Sequence, residues 1–435
     1  MSMAIRRNGL ALLLLAFAAP SFASELPRRP SLGIELVPAA EPGVRVNTVP
    51  DNVRWRGPAL QAGDRITTLG GTTVASPAEA AAALRAADQG EAIAITAVRG
   101  ETTIETSAPL VPHPLERGEG FAIDYATLPL AEGRRRLVLT RPESAGAKPA
   151  LLMIGGLGCY PADNPFNPDE AQRALTHAAT RAGFITLRVE KSGAGDSEGP
   201  PCATEPMATE VRGLVAGLRW LKARPDVDPS RVFIVGLSMG GIVGPLAAVA
   251  GLAFFEIVGG TSWFEYELEN RRRQLGLRGQ TAVQIDAAVR ERAWCLMAVM
   301  VDGRARAEVI AARPGCEREL RYPLGDAYMQ DVFAQNIPEL FAALDGAPTL
   351  VVYGSADFIT SRAQGEGVVA AINAAHPGRA TFVEIAGMDH WLSQAADQRA
   401  SFDRAVNQGR FIDRFHPAAA TVLVEGLAKN AEGAP

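Results

Sequence analysis

The stretch Val232-Phe233-Ile234-Val235-Gly236-Leu237-Ser238-Met239-Gly240 constrains this chain more than any other. Its β-branched and aromatic residues read as a buried strand. The run stops at Gly-x-Ser-x-Gly, and Gly241-Ile242-Val243-Gly244-Pro245-Leu246-Ala247-Ala248 continues with small, apolar, helix-like residues. A strand can pass into a helix over so short a link only if the backbone turns very sharply. Glycines two positions before and two after the serine leave room for that turn. The serine then occupies strained backbone, with its hydroxyl thrust out at the carboxyl edge of a sheet and a helix N-terminus beneath it. The pattern predicts a helix over residues 239–251.

Length and composition narrow the class. The 435 residues exceed one ordinary domain and suffice for two or three. Hydrophobic residues at 47% and charged residues at 21% are close to the globular average, so a sizeable core is expected and disorder is not. No basic patch dominates, which argues against nucleic acid as a partner. At the start, Arg6 and Arg7 precede an apolar run to Ala19, and Ser21-Phe22-Ala23 supplies small residues suited to signal peptidase. Residues 1–23 are therefore expected to be a secretory signal peptide. The apolar run is about half of what spans a bilayer, so no transmembrane segment is expected after cleavage. Without residues 1–23 the chain carries 41 basic and 48 acidic residues, a net charge of −7. A mildly acidic periplasmic or secreted protein is expected. The cysteines, Cys159, Cys202, Cys295 and Cys316, are even in number, as disulfides in an oxidising compartment require. No spacing of Cys and His resembles a metal site, and no cofactor is expected.

Three regions separate along the chain. Residues 29–112 hold short alternating apolar stretches and one helix-like segment over 77–87, the marks of a small β-rich module. Residues 113–119, with Pro114, read as a linker. From residue 120 to about 430 apolar runs at 151–154, 184–189, 232–235, 350–353 and 381–385 alternate with helical stretches, notably 208–223 and 364–375. Strands alternating with helices imply an α/β architecture, a mostly parallel sheet covered on both faces. The alternation lapses over about 262–344, an Arg-rich, helix-prone insertion.

The first region resembles a PDZ domain of the bacterial type, chiefly through Ala62-Gly63-Asp64-Arg65-Ile66, the turn at Gly70-Gly71 and the helix after it. The resemblance implies that Leu32-Gly33-Ile34 is the loop whose amides receive a peptide's terminal carboxylate while the peptide adds as a strand. A peptide or protein C-terminus is the partner so implied. Leu32 and Ile34 also read as ordinary core residues of a first strand.

The serine needs a base, and the base needs a partner that fixes its tautomer. Three histidines follow Ser238: His376, His390 and His416. His390 leaves the last apolar run at the carboxyl edge, on the side of Ser238. His376 precedes Pro377-Gly378 at a helix end, and His416 lies beyond the last strand. Asp357, after Thr349-Leu350-Val351-Val352-Tyr353-Gly354, again falls at the carboxyl edge; its rival is Asp389, the sequence neighbour of His390. An oxyanion needs two N–H donors already aimed at it. Met239 supplies one, and Gly156 or Leu157 in Ile154-Gly155-Gly156-Leu157-Gly158 the other.

Together these features resemble the α/β-hydrolase superfamily, in the style of its serine aminopeptidase and esterase-like branch, with a helical cap over 262–344. The resemblance implies the order nucleophile, acid, histidine: Ser238, Asp357, His390. The chain departs from the common His-Gly oxyanion pattern by carrying Ile154. Glu190-Lys191-Ser192-Gly193-Ala194-Gly195-Asp196-Ser197 resembles the turn after the next strand; it lacks the Gly-Lys-Ser/Thr ending of a phosphate loop. Of three possible cysteine pairings, loop placement favours Cys159–Cys202 at one sheet edge and Cys295–Cys316 within the cap. The expected activity is cleavage of an ester, thioester or amide, or of a peptide, through an acyl-enzyme. The alternative is a periplasmic PDZ scaffold with an inactive hydrolase domain.

Overall fold

The computed structural model describes residues 25–39, 41–246, 251–344 and 346–432. The expected signal peptide, residues 1–23, lies outside them. Eight strands form the larger sheet: β1 (Phe121–Leu128), β2 (Arg135–Pro142), β3 (Lys148–Ile154), β4 (Ile185–Val189), β5 (Val227–Leu237), β6 (Gly251–Phe255), β7 (Thr349–Gly354) and β8 (Ala380–Ile385). Their order across the sheet is β8-β7-β6-β5-β3-β4-β2-β1. Pairings from β4 through β8 are parallel, while β2 runs antiparallel to both β1 and β4. The sheet is mixed and largely parallel.

Both faces are covered, and the strand pleat divides the apolar residues between them. Leu152, Ile154, Ile234 and Phe254 pack on one side with Leu214 and Leu218 of helix Met207–Lys222 and Ile372 of helix Arg362–Ala375. Leu151, Met153, Phe233 and Phe255 pack on the other with Leu175 of helix Ala171–Arg181 and Leu423 of helix Pro417–Glu432. Phe233, Phe254 and Phe255 are fully buried, each worth about 1.5–3 kcal/mol of transfer from water.

Two departures from the sequence reading concern strands. The helix expected over 239–251 runs only from Gly240 to Val243, followed by a 3-10 turn at Gly244–Leu246; residues 247–250 lie outside the described residues. Gly251 begins β6, a strand the sequence reading folded into that helix. A short, wholly apolar run carries no periodicity to separate buried strand from buried helix. Strands β1 and β2 also lie outside the expected apolar runs; β2 opens on Arg135 and Arg136, which are buried in ion pairs. Arg135 pairs with Glu205, and Arg136 with Asp196.

Between β6 and β7 the chain forms a helical insertion, including Trp263–Leu277, Ala282–Leu296 and Asp326–Phe333. A disulfide joins Cys295 to Cys316 within it. The N-terminal module is a second sheet in the order Glu35–Pro38, Val44–Thr48, Arg65–Leu69, Ala92–Arg99, Thr102–Pro109. Helix Pro77–Arg85 packs against it, capped by Ser76.

A buried network of ions ties the N-terminal segment to the larger sheet. Arg28 pairs with Asp163 at 2.6 Å and also with Asp196; Tyr125 donates to Asp163 at 2.8 Å. Below this lies Glu116, which binds Arg188 in bidentate fashion at 2.7 and 2.9 Å and His177 at 2.7 Å. Burial pushes the Glu116 carboxyl up, but Arg188 and His177 more than offset this and hold it well below its usual range. A carboxyl depressed in the folded state contributes stability above its unfolded value of about 4.3, and that contribution is lost as pH falls through the folded value. Glu116→Gln strands the buried Arg188 guanidinium and should cost about 3–5 kcal/mol at pH 7. In urea unfolding the gap to the unmutated protein should hold above about pH 5 and narrow below about pH 4.

Candidate active site

Ser238 sits in the turn between β5 and helix Gly240–Val243 with φ of 52°, a left-handed backbone costly for a residue with a side chain. Its amide donates to the Phe255 carbonyl at 2.9 Å, tying the turn to the end of β6. The flanking glycines are steric necessities. A Cβ at Gly236 would lie 2.5 Å from the Gly240 carbonyl, and one at Gly240 would lie 2.5 Å from the Ile154 carbonyl oxygen.

Asp357 follows β7 and His390 follows β8, so parallel neighbours deliver both to the edge that carries Ser238. His390 Nε2 lies 3.1 Å from Ser238 Oγ, and its Nδ1 lies 2.7 Å from Asp357 Oδ2. The other Asp357 oxygen, Oδ1, accepts the amides of Ile359 at 2.5 Å and Thr360 at 3.1 Å. Asp357 is wholly buried, whereas the His390 side chain keeps 11% of its surface exposed. Burial pushes the Asp357 carboxyl up; the charge and hydrogen bond of His390 outweigh it, leaving the group below its ordinary range.

The rival acid, Asp389, is engaged elsewhere. Its Oδ1 accepts the amides of Trp391 at 3.0 Å and Ser393 at 2.9 Å; its Oδ2 binds Ser401 at 2.8 Å and pairs with Arg404. These bonds shape the loop that carries His390. His376 caps helix Arg362–Ala375 and lies 3.0 Å from the Ala342 carbonyl; His416 stands before helix Pro417–Glu432.

The expected oxyanion loop passes directly over the serine: a Cβ at Gly156 would lie 3.3 Å from Ser238 Cβ. Tyr160 donates to the Gly156 carbonyl at 3.1 Å, and Lys191 Nζ lies 3.4 Å from it. In a trans peptide the N–H opposes the C=O, so these donors turn the Leu157 amide away from themselves. Among the described residues the amides of Gly156, Leu157 and Met239 have no protein acceptor. The loop is anchored three residues on, where Cys159 is disulfide-bonded to Cys202. Glu190 organises the next turn, accepting the amides of Ala162, Asp196 and Ser197.

In the N-terminal module Gly33 has φ of 72°, and its amide donates to Ser31 Oγ at 3.1 Å. Leu32 and Ile34 are buried in the module's core. The neighbouring strand Glu35–Pro38 ends its sheet, and helix Pro77–Arg85 packs beside it.

One group at this edge escaped the sequence reading. Glu256, directly after β6, is 1% exposed with φ of 50°. Ligating atoms of Glu256, Asp357 and His390 all lie within 4.8 Å of one another. A carboxylate closing the apolar run Leu252-Ala253-Phe254-Phe255, as Asp357 follows its own, was the available signal.

Residues 136–362, more than half of the chain, match the X-Pro dipeptidyl-peptidase (S15) family. The chain belongs to that family. Residues 30–110 match the PDZ domain. It is thus an α/β-hydrolase preceded by a PDZ domain. No curated protein matches it. Similar solved structures include DcsB in complex with its substrate analogue, at 18% identity over 72% of this chain and all of that one, TM-score 0.46. The α/β hydrolase GrgF from Penicillium sp. sh18 shows 16% identity over 72% of this chain and 99% of its own, TM-score 0.44. Est1E from Butyrivibrio proteoclasticus shows 12% identity over 70% and 99%, TM-score 0.41. Likeness at this level bears on neither substrate nor activity.

Gly240→Ala forces a Cβ against the Ile154 carbonyl, backbone that cannot swing aside. The substitution should lower the urea midpoint by the equivalent of roughly 2 kcal/mol or more. An unchanged midpoint would mean that β3 and the turn do not approach so closely.

Proposed function

We propose that this hydrolase is an exported serine hydrolase that cleaves an ester, thioester or amide through an acyl-enzyme. The reading is carried by one observation, the continuous line of hydrogen bonds from Asp357 through His390 to Ser238 Oγ. Ser238 attacks the carbonyl carbon as His390 Nε2 takes its proton. Asp357 holds the Nδ1–H tautomer and stabilises the imidazolium that forms. The developing oxyanion is received by the amide of Met239 and by that of Gly156 or Leu157. His390 returns the proton to the leaving group, and water repeats the sequence on the acyl-enzyme. Export is supported by the basic-apolar-small pattern of residues 1–23 and by two disulfides, which suit an oxidising compartment. Among the described residues no helix is long and apolar enough to cross a membrane.

The test is labelling with a fluorophosphonate, followed by turnover of p-nitrophenyl esters of rising acyl length beside Xaa-Pro anilides. Ser238→Ala should abolish labelling, and Asp357→Asn should lower kcat by about 10³–10⁴. Labelling that survives in Ser238→Ala refutes the nucleophile; a comparable fall in Asp389→Asn with Asp357→Asn unaffected refutes the acid. The profile across the panel separates esterase from peptidase.

Among the described residues the outer edge of Glu35–Pro38 carries no further strand, and with the Gly33 loop beside it this edge offers a peptide C-terminus a place to dock in the β-addition mode. Such capture would bring a peptide or partner protein to the hydrolase. Titration calorimetry of the full chain should register peptides with a free C-terminal carboxylate at least about tenfold tighter than their amidated counterparts. Equal heats for both would remove carboxylate capture from the reading.

A further inference from the structure

Glu256 follows the strand end that holds the Ser238 turn: its predecessor's carbonyl accepts the Ser238 amide, and its own amide donates to the Val352 carbonyl at 3.0 Å. These two bonds fix the backbone at both sides, so the left-handed φ of 50° is imposed by the sheet rather than by the residue. The side chain is driven inward against Gly354, where a Cβ would lie 2.6 Å from Glu256 Oε1. Among the described residues no donor reaches either carboxyl oxygen at good geometry and no cation pairs with the group, which leaves the Asp357 carboxylate as its hydrogen-bonding neighbour. It faces the Asp357 carboxylate and the His390 ring. Beyond them stand Asp389, whose charge Arg404 answers, and the Tyr353 phenol, which Gln398 holds through its hydroxyl.

Two carboxylates cannot share a dry pocket as two anions: each repels the other, and neither has solvent to screen it. One proton must lie between them. Asp357 is the partner engaged by the imidazole and by two amides, all of which favour its anion. The proton therefore resides on Glu256. Burial and the neighbouring Asp357 charge raise the Glu256 carboxyl well above its ordinary range, in agreement with that placement. A buried carboxylic acid held neutral at pH 7 is a strong hydrogen-bond donor.

We propose that Glu256 is a neutral acid that donates a hydrogen bond to the Asp357 carboxylate, and so is a positioning residue of the Ser238–His390–Asp357 relay. The proposal rests on the serine-hydrolase reading above. Glu256 touches neither substrate nor the reacting hydroxyl. It holds the Asp357 carboxylate in register with His390 Nδ1 and draws off part of its charge. With that donor removed, Asp357 offers more charge to the imidazole, which then protonates at higher pH.

The test compares Glu256→Gln, Glu256→Leu and Ser238→Ala in the full chain, using the best ester or anilide of the panel and pH profiles of kcat/KM. Gln is neutral and keeps a donor; it should stay within about twofold of the unmutated protein with the acid limb unmoved. Leu removes the donor and should lower kcat by about ten- to a hundredfold while KM changes less than about twofold, with the acid limb displaced to higher pH. If Glu256→Gln shifts the acid limb to lower pH, the native group was an anion beside the imidazole and the proposal falls. It falls equally if Leu leaves kcat and the profile unchanged, or if a chelator abolishes activity and a divalent ion restores it, since a bridging metal would then hold the two carboxylates. Should the Leu variant fail to fold, the Gln profile still decides. Ser238→Ala separates the two readings: activity surviving there defeats the triad itself, whereas an inactive Ser238→Ala with unaffected Glu256 variants defeats only this proposal.

Discussion

Parallel strands ending at one edge are the constraint from which the rest follows. Ser238, Glu256, Asp357 and His390 each stand at or just beyond the carboxyl end of β5, β6, β7 and β8, four neighbours in a row. Four side chains spread over more than 150 positions of sequence meet because in-register pairing brings those strand ends together. The meeting requires strained backbone at two of the four, Ser238 and Glu256, both left-handed and both held by amide bonds to adjacent strands. Strain of that kind persists only where the surroundings over-determine the backbone.

Electrostatics at this edge is organised by what is answered and what is left unanswered. Asp389 has a guanidinium, a hydroxyl and two amides, and it serves the loop. Asp357 has an imidazole and two amides, and stays anionic in the dark of the core. Among the described residues Glu256 has no cation, and a buried acid without one keeps its proton. Three carboxyl groups within one small region thus take three roles from their neighbours rather than from their own chemistry.

Farther from the edge, covalent and ionic ties hold the loops that surround it. The Cys159–Cys202 bond anchors the segment that places Gly156 over Ser238, and Cys295–Cys316 closes part of the helical insertion. The segment just before the PDZ domain is joined through Arg28 to Asp163 and Asp196, and the PDZ helix through Arg85 to the Gly193 carbonyl on the turn beside β4. That contact lies next to Lys191, which reaches the Gly156 carbonyl. The PDZ domain and the hydrolase edge are therefore connected by a short series of bonds.

Local chemistry made much of this legible in advance. Gly236-Leu237-Ser238-Met239-Gly240 admits essentially one backbone path, because side chains at the glycines would strike backbone on either side. The apolar runs before Asp357 and His390 announced strands whose ends had to carry polar side chains, and the family resemblance ordered their roles. By itself the sequence determined most element types, the turn at Ser238, and the kinds of group available at the edge, since these depend on residues close along the chain. Only the tertiary structure decided that Gly251–Phe255 is a strand, that Arg135 and Arg136 are interior, that Asp389 is spoken for, and that Glu256 faces Asp357 with no cation among the described residues. Burial and the identity of a charge's neighbours arise from packing between distant segments, and no periodicity or spacing encodes them.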